Sequence, residues 1–285
     1  VALSLARLFR SLPETEDQTI KEYKMVLSIY PEHLEALVEL ADVFVCQSRW
    51  DEAMEAYQRA IVIHEDNPVA HFGLGKVYRE RSRLDEAIRE FKRAADLEGN
   101  WKQPRFELAQ VLGEIGRVEE SMTEYNNVLK IDPTMVEAHL GLAVLNLKSG
   151  LIDAAFLEYK KVIELDPDKL EAHFDLARIY LQMNKPDKAA FELKKVTNLD
   201  PTNVEAHFLL GELYYEKNYI DDAANEYEMA LEHSPDLSRA HERLGDIYME
   251  KFMFNKAILK YKRVIELEST NADTYFKLGE AFNKQ

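Results

Sequence analysis

Residues 136–142 read VEAHLGL, which brings a carboxylate, an imidazole and a flexible glycine together, the types that acid–base work or a metal site would use. Near copies follow, LEAHFDL from Leu170 and VEAHFLL from Val204, and His71, His139, His173, His207 and His241 all hold the same place in such a copy. A zinc site would need three or four donors converging on one ion, with ring nitrogens about 2.0–2.1 Å from it. Equivalent side chains on packed neighbouring helices lie about 8–10 Å apart and point in parallel. These histidines therefore form a row rather than a cage, and packing between helices is their expected role.

Other chemical signals are weaker still. The sequences HExxH, G-x-S-x-G and GxxxxGK[ST] do not occur. The GLG at Gly73–Gly75 sits inside a helical pattern with no strand before it, so small-residue packing explains it. Cys46 reads as an incidental cysteine, and acidic pairs such as Asp221 and Asp222 as helix solvation. No catalytic residue, metal or cofactor is expected, and the chain reads as a non-enzyme.

What positions these residues is a repeat of period 34. Units start at Leu34, Pro68, Lys102, Val136, Leu170, Val204, Ser238 and Ala272 without insertion or deletion. Slot seven is always leucine, from Leu40 to Leu278, and slot eight is always Ala or Gly, as at Ala41 and Gly75. Slot twenty is small (Ala53, Ala87, Ser121, Ala155, Ala189, Ala223, Ala257), and slot twenty-four is bulky (Tyr57, Phe91, Tyr125, Tyr159, Leu193, Tyr227, Tyr261). Slots four, seven, eight and eleven make one helix face, and slots twenty, twenty-four and twenty-seven make another, so each unit is two helices. Acids at slot eighteen, such as Asp51 and Asp187, are expected to cap or favourably charge the second helix. Pro133, Pro167, Pro201 and Pro235 at slot thirty-two stop it, because proline lacks the donor.

This pattern resembles the tetratricopeptide repeat, whose aromatic, Leu-Gly, Tyr, Ala, Phe and Pro signature falls at these offsets. The resemblance covers nearly the whole chain. It implies an all-α, right-handed superhelical solenoid of stacked antiparallel helix pairs with a concave face built from the first helices. The expected organisation is one solenoid domain over 1–285. Residues 1–33 form a divergent leading unit, 34–67, 68–101, 102–135, 136–169, 170–203, 204–237 and 238–271 are full repeats, and 272–285 is a half repeat or capping helix. A first residue that is Val1 rather than Met points to a fragment of a longer chain.

With 46% hydrophobic and 31% charged residues the chain is globular rather than disordered. Only 10 Gly and 9 Pro favour helices over a loop-rich fold. A formal charge of -16 repels phosphate backbones, so nucleic acid is a poor partner. No run of about 18 apolar residues occurs, which argues against membrane insertion. One cysteine suits a reducing compartment, and a cytoplasmic location is expected, with a periplasmic or membrane-associated one left open for a longer chain.

Function is then expected on the first helices, at slots two, five, nine, twelve and thirteen. Groove positions are Phe72, Phe106, Leu140, Val144, Leu147, Phe174, Arg178, Leu181, Phe208 and Tyr215, with a rim of Glu137, Glu171 and Glu205. An apolar floor with an acidic rim suits a partner segment with hydrophobic anchors and some basic residues. Charge is uneven: residues 34–67 hold two basic against eight acidic groups, 204–237 one against nine, and 238–271 seven against five. That asymmetry could orient a ligand or drive self-association. The chaperone-tail clamp and the asparagine ladder of related proteins have no match here. Asn146 stands at slot eleven, where sister units carry Tyr78, Tyr180, Tyr214 and Tyr248. The leading expectation is a scaffold that binds a peptide or helical segment and supports assembly of a multiprotein complex. The alternative is the targeting or regulatory region of a longer enzyme or envelope-assembly protein.

Overall fold

Each 34-residue unit holds two runs of helix-favouring residues around one tight turn, and the computed structural model, which describes Glu16–Gln285, turns every run into a helix. Residues 1–15 of the leading unit lie outside the described residues. Contacts divide the chain into two compact units, one up to Leu151 and one from Ile152, a division that falls between the two helices of repeat 136–169. The first unit contains α1 (Glu16–Ile29), α2 (Leu34–Cys46), α3 (Trp50–Ile63), α4 (Pro68–Glu80), α5 (Leu84–Leu97), α6 (Lys102–Glu114), α7 (Val118–Ile131) and α8 (Val136–Lys148). The second contains α9 (Ile152–Leu165), α10 (Leu170–Gln182), α11 (Pro186–Leu199), α12 (Val204–Glu216), α13 (Ile220–His233), α14 (Ser238–Glu250), α15 (Phe254–Leu267) and α16 (Ala272–Lys284). Within each unit every helix packs on the next along the chain, and in the first unit α2 also touches α4 and α6 touches α8.

The turn inside each repeat is set at slot fifteen, where the backbone is left-handed: Ser48, Ser82, Gly116, Gly150, Asn184, Asn218 and Phe252 all have φ between 54° and 80°. The next N–H reaches back to slot eleven, as in Arg49 N–H to the Phe44 carbonyl (2.8 Å) and Arg83 N–H to the Tyr78 carbonyl (2.8 Å). This is a Schellman closure, which favours Gly or Asn at the left-handed residue. Phe252 is the exception in both size and chemistry.

First helices are capped by side chains where the sequence allows: Asn67, Asn203 and Asn271 accept the N–H of Ala70, Ala206 and Thr274 at 2.8, 3.0 and 3.1 Å. The slot-eighteen acids do not cap. Second helices start one residue earlier, behind N-cap residues that make no side-chain bond, such as Arg49 and Tyr219. Asp51, Asp187 and Asp221 instead charge the first turn and pair with Arg81, Lys217 and Lys251 of the following repeat. The acids in these pairs are largely exposed, so each pair contributes about 0–1 kcal/mol.

The deepest packing comes from two adjoining stripes on each first helix rather than one. Slots four, seven, eight and eleven are covered, and slots three and ten, such as Ala70 and Val77 or Ala240 and Ile247, are fully buried as well. First helices such as α4 and α14 are thus packed on two sides, against the helices before and after them along the chain. The slot-twenty-four rings Tyr57, Phe91, Tyr159, Tyr227 and Tyr261, with Tyr23 at the equivalent place on α1, are the largest fully buried side chains. Three of these rings press on a slot-eight glycine: a Cβ at Gly75, Gly211 or Gly245 would lie 2.6, 2.7 or 2.5 Å from Phe91, Tyr227 or Tyr261.

Candidate partner-binding site

The slot-four histidines are buried between helices, as their spacing suggests, but their bonding makes them more than packing. In three repeats Nδ1 lies 2.6 Å from a glutamate nineteen residues on, in the pairs His71–Glu90, His173–Glu192 and His207–Glu226. Nε2 meets the carbonyl six residues back, at Glu65 (2.8 Å), Pro167 (2.9 Å) and Pro201 (3.0 Å). Each ring therefore ties the turn before its repeat to the second helix of that repeat. Burial opposes charge on His71, but the Glu90 carboxylate and the Glu65 carbonyl outweigh it and raise its pKa above the ordinary value. Arg105 stands in for histidine in its repeat and bonds Glu124 at 3.1 Å. Among the described residues no group of three or more His, Cys, Asp or Glu side chains could hold a metal ion.

Four slot-twenty-four tyrosines reach from a second helix and donate to acids on a first helix, that of their own repeat or, for Tyr159, that of the next. Tyr57 bonds Asp42 (2.6 Å), Tyr159 bonds Asp175 (2.7 Å) and Tyr261 bonds Asp246 (2.8 Å), while Tyr227 bonds Glu212. Burial, and then these acceptors, push Tyr159, Tyr227 and Tyr261 up. Tyr125 is pushed up to about 12 by burial. The raised hydroxyls of Tyr159, Tyr227 and Tyr261 stay protonated and hold their carboxylate partners in place.

The residues expected to line the groove divide between the units. In the first, Phe72 is half-buried, edge-on to Trp101 (4.7 Å) and tilted against Phe91 (5.8 Å), and Phe106 lies edge-on to Tyr125 (5.9 Å). Leu140, Val144 and Leu147 are half-buried along α8, and Glu137 is exposed. Arg79 is drawn into the same face by Glu107 (2.5 Å), Gln110 (3.0 Å) and Glu114.

In the second unit Phe174 and Leu181 are half-buried and Arg178 and Glu171 are exposed. Phe208 lies deeper, 7% exposed, against Tyr227 and beneath the Arg239 guanidinium at 4.1 Å. Arg239 also pairs with Glu205, so that rim carboxylate is neutralised within the chain. Tyr215 is half-buried and donates to Glu250, and Arg243 grips Glu212 through two 2.7 Å bonds. Asn146 is 4% exposed. Among the described residues the buried side-chain atoms without a partner are His241 Nδ1 and Thr274 Oγ1.

Sequence reasoning missed the histidine–glutamate latches and the tyrosine–acid bonds. Both left a signal, since Glu stands nineteen residues after a slot-four histidine and an acid stands fifteen before three of the tyrosines.

Family models described as TPR repeat match residues 41–80, 109–150 and 253–285, and others described as tetratricopeptide repeat match 147–198, 185–247 and 62–100. Comparison with curated proteins finds no match. Among solved structures, the C-terminal part of a TPR repeat-containing protein from Cytophaga hutchinsonii is 16% identical, with a TM-score of 0.72 over 85% of this chain and 99% of that one. YrrB, described as a TPR protein with an unusual peptide-binding site, is 18% identical, with a TM-score of 0.58 over 68% of this chain and 97% of that one. MamA is 23% identical, with a TM-score of 0.54 over 58% of this chain and 97% of that one. At these identities the likeness is one of fold. Helices in an unbroken 34-residue register, small slot-eight residues seated on slot-twenty-four rings, and family models spread over most of the chain all agree, and the chain belongs to the tetratricopeptide repeat family.

Proposed function

We propose that the protein is a non-catalytic scaffold whose first helices take up a segment of a partner protein and so support assembly of a larger complex. The observation that carries this reading is the set of half-buried apolar side chains on the first helices: Leu140, Val144 and Leu147 in the first unit, Phe174 and Leu181 in the second. Apolar area left partly open in rows, beside side chains already tied down, is a contact surface in waiting. An amphipathic helix or extended peptide would cover it. Glu137 and Glu171 beside this floor favour a segment with apolar anchors and a few basic residues. YrrB, a protein of the same fold described as having a peptide-binding site, supports a peptide ligand by analogy. Among the described residues no helix is long and apolar enough to cross a membrane. A cytoplasmic setting, where the exposed Cys46 stays reduced, fits this reading.

The test is selection of displayed peptides against the full chain, followed by a variant carrying Leu140→Glu and Phe174→Glu, one change in each unit. Selected peptides should combine apolar and basic residues, and their binding should fall at least tenfold in the variant while circular dichroism stays helical. Equal binding by wild type and variant would refute the first-helix face as the site.

A further inference from the structure

The carbonyl at Nε2 and the carboxylate at Nδ1 both accept hydrogen bonds, so the latched rings of His71, His173 and His207 each sit where two N–H donors are wanted. An imidazolium paired with a carboxylate satisfies every atom of such a latch. The sister glutamates reach these rings from the surface, with 12–22% of the side chain exposed.

His241 on α14 keeps only half of this arrangement. Its Nε2 meets the Pro235 carbonyl at 2.8 Å, and the ring is 8% exposed. The residue nineteen further on is Lys260, on α15, and Nδ1 is buried with no partner. The charged groups around the ring are Lys260 and Arg263 on α15 and Asp236 in the turn before α14, and Asp236 is already bound to Arg263 at 2.5 Å. Cations thus act on a ring whose sister rings meet a carboxylate, and Glu228 on α13 acts in turn on Lys260. Burial, with Lys260 and Arg263, lowers the pKa of His241, and burial lowers that of Lys260. α15 is itself basic, with Lys256, Lys260, Lys262 and Arg263 against the single acid Glu266, in a chain of net charge -16.

We propose that the His241–Lys260 position is a binding site for a carboxylate delivered by a partner polypeptide, an Asp or Glu side chain in an acidic segment. The incoming carboxylate takes the place that Glu90, Glu192 and Glu226 fill in their repeats, accepting from Nδ1–H and from the Lys260 ammonium. A neutral ring donating through Nε2 has a bare Nδ1, so binding adds one proton from solvent to His241. Affinity therefore rises as pH falls from 8 towards 7, by up to about tenfold per pH unit for one proton taken up. The site uses none of the apolar groove positions, so it stands or falls separately from the first-helix face.

The experiment follows the His241 ring nitrogens by NMR in the full chain, with hexaglutamate as one probe and sodium acetate, matched in carboxylate concentration and ionic strength, as the other. Hexaglutamate should convert the His241 pattern from neutral ring to imidazolium, more tightly at pH 7 than at pH 8. Lys260→Glu fills the position from within and should give an imidazolium without ligand, no further response to hexaglutamate, and an intact helical spectrum. Lys260→Met, which removes the cation without filling the position, should weaken the response severalfold. A His241 signal that hexaglutamate does not move, or a response that survives Lys260→Glu, would overturn the site. An equal response to acetate would overturn its assignment to a polypeptide and leave a free carboxylate as the ligand.

Discussion

A histidine with an acceptor at each nitrogen is a local charge switch, and His71 shows its sign. Its folded pKa lies above the ordinary value of 6.5 because, although burial opposes the charge, Glu90 and the Glu65 carbonyl outweigh it. Its stabilising contribution is therefore full below about pH 6.5 and is lost as pH rises through the folded value. Denaturant midpoints at pH 6, 7 and 8 should fall less in Glu90→Gln than in wild type, by an amount equivalent to about 1 kcal/mol or less; parallel curves would contradict the latch. Phe252 gives a second residue-scale prediction. It holds φ 58° with 80% of its surface exposed, at a slot where sister repeats use Ser, Gly or Asn. Phe252→Asn should raise stability by about 0.5–1 kcal/mol, read as an upward shift in Tm. The latches were readable as a separation of nineteen between His and Glu. Their chemistry was not, because the second acceptor is a main-chain carbonyl that no sequence pattern displays.

At the scale of the helix, the period and the alternation of small and bulky slots revealed the helix pairs among the described residues, while the two-sided burial of first helices stayed hidden. Alanine at slot three carries little hydrophobic signal, yet Ala70, Ala138 and Ala206 are fully buried because another helix crosses there. Acids at slot eighteen read as caps or as favourable first-turn charges, because helix starts are legible only to within a residue or two; the backbone begins the helix earlier, which leaves them the second role, and Asp51, Asp187 and Asp221 also bridge to the next repeat. The pairing of slots eight and twenty-four is directly testable. A Cβ on Gly245 would lie 2.5 Å from the Tyr261 ring. Gly245→Ala should therefore destabilise by about 1–3 kcal/mol. Adding Tyr261→Leu, which copies the Ala177 and Leu193 pairing of a sister repeat, should recover part of that loss rather than add a second one. Additive losses in a double-mutant cycle would show that ring and glycine do not oppose one another.

For the whole molecule, fold and family were legible because one register runs through the chain, whereas the proposed binding face was legible only in outline. Which slots point away from the second helices follows from helix geometry. Which of those side chains are already engaged does not: Glu205 is taken by Arg239, Phe208 is covered by the same guanidinium, and Arg79 is held by Glu107 and Glu114. What stays open is the aliphatic row of α8 and the Phe174 and Leu181 surface of α10. Ligands held there by apolar anchors should lose less than tenfold in affinity between 50 and 500 mM salt, since about one or two exposed ion pairs are screened. The most direct test of a first-helix binding face is photo-crosslinking with selected peptides. The photoreactive residue would replace Val144 or Arg178 on the first helices, and Val62 or Leu157 on exposed second-helix surfaces. Adducts confined to Val144 and Arg178 are predicted, and adducts that form equally at Val62 and Leu157 would contradict the account.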